Sequence, residues 1–205
     1  MLRHGAAVAT PEATNSNSPQ RVAAMLLRGY ISLFESRGFM DRMRPKMSPA
    51  LAAVVARPPL PITWVDSGIL YELLQVAGEA TSYETIRQCG FENTSQQTGM
   101  MVLPMLRTLL RLWGASPATL FKNAGSVITV QVKGTRLEYK PETEHSGVME
   151  MDPGRVVNEF VWAGWEGMFL YAYEVAGVQG EVGRTQVLDG GRRGRVALRW
   201  TPNPK

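Results

Sequence analysis

Residues 155–176 constrain this chain more than any other stretch. The segment opens after Asp152-Pro153-Gly154, closes at Gly177 and keeps helical spacing throughout. One stripe holds Val157, Phe160, Val161, Gly164, Met168, Tyr171 and Val175. A second holds Trp162, Trp165, Phe169 and Tyr173, at spacings of 3, 4 and 4. Only Asn158, Glu159, Glu166 and Glu174 are clearly polar. A helix that is apolar around most of its girth must be covered on two sides. A sheet can cover one stripe. The other has to meet the remaining helices, a partner subunit or an apolar ligand. Ala163, Gly164 and Gly167 are small enough to let another backbone come close.

The rest of the chain supplies candidates for that cover. From Ser18-Pro19, Val22, Met25, Leu26, Ile31 and Leu33-Phe34 recur near helical spacing up to Gly38. A short helix is expected over 39–43 and a third from Ser48-Pro49, before the proline-rich connector 57–61. Asp66-Ser67 caps a helix over 68–77, and Thr81-Ser82 opens one through Cys89. A longer helical segment spans 95–113 around Pro104, and a short one spans 118–123, stopped by Gly125. The period then changes. Residues 127–132 alternate as a β-branched strand, 136–140 return, and 145–151 make a third strand. After the long helix, 178–187 and 193–200 form strands joined by Asp189-Gly190-Gly191. The order, helices followed by β-β-β-α-β-β, predicts an α+β fold with an N-terminal helical layer packed on a twisted antiparallel sheet. Residues 1–18 read as a disordered tail and 19–205 as a single α+β domain.

Composition leaves little room for chemistry. The hydrophobic fraction of 44% and charged fraction of 20% suit a soluble globular domain. A single Cys excludes an intramolecular disulfide, a zinc ribbon and an iron–sulfur cluster held by this chain alone. The two His, at 4 and 145, offer little for acid–base catalysis. Cys89, beside Arg87, reads as a buried small hydrophobe more readily than an activated thiol. Glu142, Glu144, His145 and Asp152 flank a turn, where carboxylates are simply solvated. The run 190–194 joins two strands, so it is a hairpin tip and not a phosphate loop. No catalytic residue, metal or cofactor is expected, and the chain does not read as an enzyme.

The net charge of +4 is unevenly spread: 1–57 carry +5, 58–179 carry −5 and 180–205 carry +4. Arg42, Arg44, Lys46 and Arg192, Arg193, Arg195 form no dense tract, so a nucleic-acid partner is not expected. No stretch approaches a membrane span, and the lone Cys with no hydrophobic leader points to the cytoplasm.

Familiar phrases appear between residues 103 and 140. Leu103-Pro-Met-Leu-Arg-Thr-Leu-Leu-Arg-Leu-Trp-Gly114 leads into Ser116-Pro-Ala-Thr-Leu-Phe-Lys-Asn123, then Gly134-Thr-Arg-Leu-Glu-Tyr139. Arg195-Val-Ala-Leu-Arg-Trp200 closes the chain. Over roughly residues 20–200 the sequence resembles a paralogous family of about this length expanded in myxobacteria. In layout it is similar to the superfamily uniting haem–nitric-oxide-binding domains, four-vinyl-reductase domains and small subunits of the Golgi transport particle. That resemblance implies an apolar pocket between helices and sheet, used by relatives for haem, small hydrophobic ligands or an acyl chain, and dimerisation in several of them. Haem-binding relatives clamp the propionates with Tyr-x-Ser-x-Arg, nearly matched by Tyr83-Glu84-Thr85-Ile86-Arg87. They place the proximal His upstream on a helix, where this chain has only His4. The Cys of four-vinyl-reductase strand pairs has no counterpart in 178–200, and Cys89 alone is available for the lipid of a transport-particle subunit.

The reading that follows is a non-enzymatic regulatory or scaffolding module in signalling. It acts through a protein partner and as a homodimer, with Trp162, Trp165, Phe169 and Tyr173, or the basic ends of the chain, as the interface. The alternative is a sensor binding a small apolar ligand between helices and sheet, lined by Leu103, Leu106, Trp113, Phe121 and Phe160.

Overall fold

In the structure, a computed structural model that describes residues 20–97 and 116–201, the chain enters as a strand and not as a helix. Strand β1 (Arg21–Ala23) lies between β2 (Trp64–Asp66) and β3 (Val132–Lys133), antiparallel to both. Val22 is paired with Val65 on one side and Val132 on the other, so a strand of three residues has its backbone groups satisfied from two directions. Where the sequence suggests a helix, residues 21–23 are strand, and α1 (Ala24–Ser36) starts at Ala24. Helix α2 (Met40–Met43) runs into a 3-10 turn, and α3 (Pro49–Ala56) starts as expected, with the Leu51 amide donating to the Ser48 hydroxyl. Asp66 caps α4 (Ser67–Ala80) by accepting from the Gly68 amide at 2.7 Å. Helix α5 (Tyr83–Gln97) continues well past Cys89. The expected tail and most of the helix over 95–113 lie outside the described residues.

Helix α6 (Pro117–Ile128) departs further from the sequence reading. It runs through Gly125, and of the alternating run 127–132 only Val132 is strand, in β3 (Val132–Lys133). Phe121 and Ile128, seven residues apart and both buried, hold the helical phase against the β-branched pattern. A Cβ at Gly125 would stand 3.2 Å from the Leu137 carbonyl oxygen, so this glycine serves close packing on the sheet and does not stop the helix.

The larger sheet comprises β4 (Arg136–Thr143), β5 (Ser146–Asp152), β6 (Gln179–Val182), β7 (Gln186–Leu188) and β8 (Arg193–Thr201). Its order is β4-β5-β8-β6, all antiparallel, with β7 also paired to β8. Strand β8 shows why one face is covered. Gly194, Val196, Leu198 and Trp200 are buried, while Arg193, Arg195 and Arg199 alternate outward. The strand expected over 178–187 is split into β6 and β7. The class is α+β, with the N-terminal helical part packed on an antiparallel sheet, as the sequence predicts.

Helix α7 (Glu159–Ala176) starts four residues later than its apolar pattern, because Asn158 is the cap and accepts from the Phe160 and Val161 amides. It ends at Gly177, whose φ of 66° is left-handed and suits glycine. The chain itself covers both sides. Trp162, Trp165, Phe169 and Tyr173 are only 1%, 8%, 2% and 3% exposed. Phe121 meets Phe169 and Tyr173 edge-on at centroid distances of 6.2 and 5.5 Å, and Trp200 lies 6.1 Å from Phe121. The stripe expected at an interface is therefore interior packing: the sheet and α6 occupy the side that the sequence left open. Among the described residues no helix is long and apolar enough to cross a membrane.

Candidate ligand cavity

A cavity of about 50 Å³ remains where α7 faces the N-terminal helices. Helix α1 contributes Leu26 and Tyr30, and α4 contributes Leu70, Tyr71 and Leu74. Leu26 and Tyr30 are four residues apart, as are Leu70 and Leu74, with Tyr71 three before Leu74, so each set shares one side of its helix. Val22, Ile128 and Val132 and, from α7, Val161, Gly164, Trp165 and Met168 join the lining. Gly164 explains why space is left. A Cβ there would stand 3.1 Å from the Tyr30 hydroxyl and 3.6 Å from Leu74 Cδ1, so the glycine leaves open what any other residue would begin to fill.

The walls are apolar, with four polar residues among them: Tyr30, Tyr71, Thr94 and Gln131. Burial pushes the Tyr30 phenol far above its usual range, and the Asn93 side chain hydrogen-bonds it while also donating to the Leu26 carbonyl at 3.1 Å. Thr94 Oγ1 donates to the Gly90 carbonyl at 2.8 Å, inside its own helix. Gln131 joins the small sheet through its backbone, its carbonyl accepting from the Ala23 amide at 2.8 Å. The Tyr71 hydroxyl is buried beside the Ser67 and Thr135 hydroxyls.

Of the residues expected to line a pocket, Leu103, Leu106 and Trp113 lie outside the described residues. Phe121 packs into the aromatic cluster with Tyr139, Phe169, Tyr173 and Trp200. Phe160 covers Gly78 of α4, where a Cβ would stand 2.5 Å from its Cε1. Neither lines the cavity. The sequence marks Ala163, Gly164 and Gly167 only as small enough for another backbone to come close, not as bordering a gap.

A second polar feature lies along α7. Glu166 is fully buried. Its Oε1 accepts from the Tyr83 hydroxyl at 2.5 Å, from the Thr185 amide at 2.6 Å and from the Thr185 hydroxyl at 2.8 Å. Its Oε2 lies 3.4 Å from Arg87 Nε, and Arg87 also donates to the Val182 carbonyl. Burial first, then the Glu166 hydrogen bond, raises the Tyr83 pKa. One carboxylate thus ties α5, α7 and the β6–β7 link together. The inward turn of Thr185 to this carboxylate accompanies the break between β6 and β7.

No protein-family model and no curated protein matches the sequence. Solved structures do. The chain is similar to the Fe(II) unliganded H-NOX protein from K. algicida, with a TM-score of 0.67 over 89% of this chain and 98% of that one, at 12% identity. The fold is that of an H-NOX domain. A mutant of the T. tengcongensis H-NOX gives a TM-score of 0.59 at 15% identity, over 88% of this chain and 97% of that one. An oxygen-binding H-NOX domain related to soluble guanylate cyclases gives 0.59 at 16% identity, over 88% and 95%.

H-NOX architecture implies a haem, and the described residues do not fit one. A cavity of about 50 Å³ has room for about four water-sized groups and not for a porphyrin. His145 sits in the β4–β5 hairpin with its ring edge-on to Trp200 at 6.4 Å, away from the cavity, and His4 lies outside the described residues. Tyr83 and Arg87, the near match to a propionate clamp, stand on one face of α5 and are taken up by Glu166 and Val182. Cys89 is buried, with Arg37 donating to its sulfur at 3.4 Å. Among the described residues no group of three or more His, Cys, Asp or Glu could hold a metal ion.

Proposed function

We propose that this chain is a sensor module of H-NOX fold that takes a small apolar ligand, without haem, in the cavity between α1, α4 and α7. The observation that supports the reading most is the cavity at Gly164, walled by apolar side chains at the junction of the helical layer and α7. Solved relatives in fold include a domain described as oxygen-binding. Helix α7 is the natural reporter: one side lines the cavity, and Glu166 bonds the Thr185 segment beside the sheet. An occupant that fits one placement of α7 better than another shifts the balance between them by that difference in affinity. Exposed Val156, Val187 and Leu188 then offer the contact through which a protein partner reads the change, with no turnover chemistry involved. Methyl NMR under a few bar of xenon tests the reading. Shifts confined to Val22, Leu70, Leu74 and Val161 support it; a spectrum unchanged at these methyls refutes it.

A further inference from the structure

The connector between α3 and β2 holds two apolar side chains in solvent. Among the described residues Ile62 is 84% exposed and Leu60 68%, more than any other large hydrophobic. The loop that carries them is braced. Pro58, Pro59 and Pro61 restrict its backbone, and Arg28 Nη1 donates to the Pro58 and Pro59 carbonyls at 3.2 and 3.3 Å. The Leu60 carbonyl accepts from the Thr63 amide at 2.9 Å and from the Thr63 hydroxyl at 2.6 Å. The Pro61 and Thr63 carbonyls accept from the Met25 and Ala24 amides, which ties the loop to the start of α1. A loop fixed in this way presents Leu60 and Ile62 without having to be ordered by whatever binds them.

The charge around this tip has one sign. Arg57 precedes the prolines, Arg28 lies against them, and Lys133 lies over the Trp64 ring at 4.2 Å, two residues past Ile62. All three are exposed, and among the described residues none of them forms an ion pair. Asp66, four residues past Ile62, is already paired with Arg155 at 3.1 Å. Apolar exposure ringed by cations selects the partner. A second copy of the chain would bring the same three cations against these. A groove that reads proline-rich segments would need the proline carbonyls that Arg28 occupies. A nucleic acid would meet the cations but offer Leu60 and Ile62 no apolar medium. An anionic lipid surface satisfies both, its acyl boundary taking the tip and its headgroups the cations. We propose that Leu60 and Ile62 form an insertion tip by which the chain docks on an anionic membrane surface, with Arg28, Arg57 and Lys133 at the headgroups. The docking is peripheral, and it does not depend on what the cavity takes.

The test is co-sedimentation of the full chain with vesicles of phosphatidylcholine alone and of phosphatidylcholine mixed with phosphatidylglycerol. Wild type partitions onto the mixed vesicles about tenfold more strongly than onto the neutral ones, and added salt weakens the difference. The double variant Leu60→Ser, Ile62→Ser loses about tenfold on the mixed vesicles. The double variant Arg57→Gln, Lys133→Gln loses as much there, since each basic residue near an anionic leaflet is worth about fivefold. All four positions are exposed, and unchanged thermal melting confirms that each variant keeps the fold. The proposal fails if wild type stays in solution with the mixed vesicles, if it binds both vesicle types alike, or if the serine variant sediments like wild type. A wild type that ignores vesicles but forms a dimer lost in the serine variant, seen by light scattering, assigns the tip to a second copy instead.

Discussion

Gly90 of α5 and Gly164 of α7 meet backbone to backbone: a Cβ on Gly90 would stand 2.9 Å from the Gly164 Cα. One turn along, a Cβ on Gly167 would stand 2.6 Å from the Phe91 amide nitrogen. Alanine in a helix interior normally gains about 1 kcal/mol over glycine. At Gly167 the crowding reverses the sign, and Gly167→Ala is expected to destabilise the fold by about 1–3 kcal/mol in urea unfolding. A gain in stability would mean that the helices are not packed this closely.

Glu166 is the carboxylate on which α5, α7 and Thr185 converge. Removing one member of a buried charged pair strands the other. Glu166→Ala is therefore expected to cost about 3–5 kcal/mol in the same experiment, with the simultaneous change Arg87→Met recovering part of the loss. Additive costs for the two changes would contradict a direct coupling.

Burial pushes the Cys89 thiol up from 9.0 to about 11, Arg37 opposing the shift and Glu92 adding to it. The thiolate is thus disfavoured in the fold, and between these two values the unfolded chain gives up the proton first. The contribution to stability is complete below pH 9 and falls by about 3 kcal/mol as pH rises through 11. Cys89→Ala should flatten this part of the pH profile. At pH 8 a thiol reagent should label folded wild type only as fast as the chain opens; rapid labelling would place the sulfur at the surface.

Phe169 lies within the core formed with Phe121 and Trp165. Phe169→Ala should lower stability by about 3–5 kcal/mol and leave the mass measured by light scattering unchanged. A drop from dimer to monomer would restore the stripe as a subunit interface.

The α+β class was legible from the sequence because the evidence was periodic: the two-stripe pattern of α7, the alternation of β8, and the Ser-Pro and Asp-Ser starts of α3 and α4. The small sheet was not, since β1, β2 and β3 each hold three residues or fewer and depend on partners more than 40 residues away for their backbone hydrogen bonds. Alternation over 127–132 misled for a related reason: the burial of Ile128 outweighed local strand preference. The cavity was hidden because it consists of what Gly164 leaves out, and no pattern of apolar residues marks a gap. In the sequence Glu166 is only one of four clearly polar residues of the long helix. Only the fold brings Tyr83, Arg87 and Thr185 to it.

The central claim is that an apolar cavity at Gly164 takes a small ligand without haem. A crystal of the chain pressurised with xenon tests this most directly. A xenon atom within van der Waals reach of Tyr30, Leu74 and Trp165 is the expected result. Side chains filling that space, with no xenon there, would contradict it.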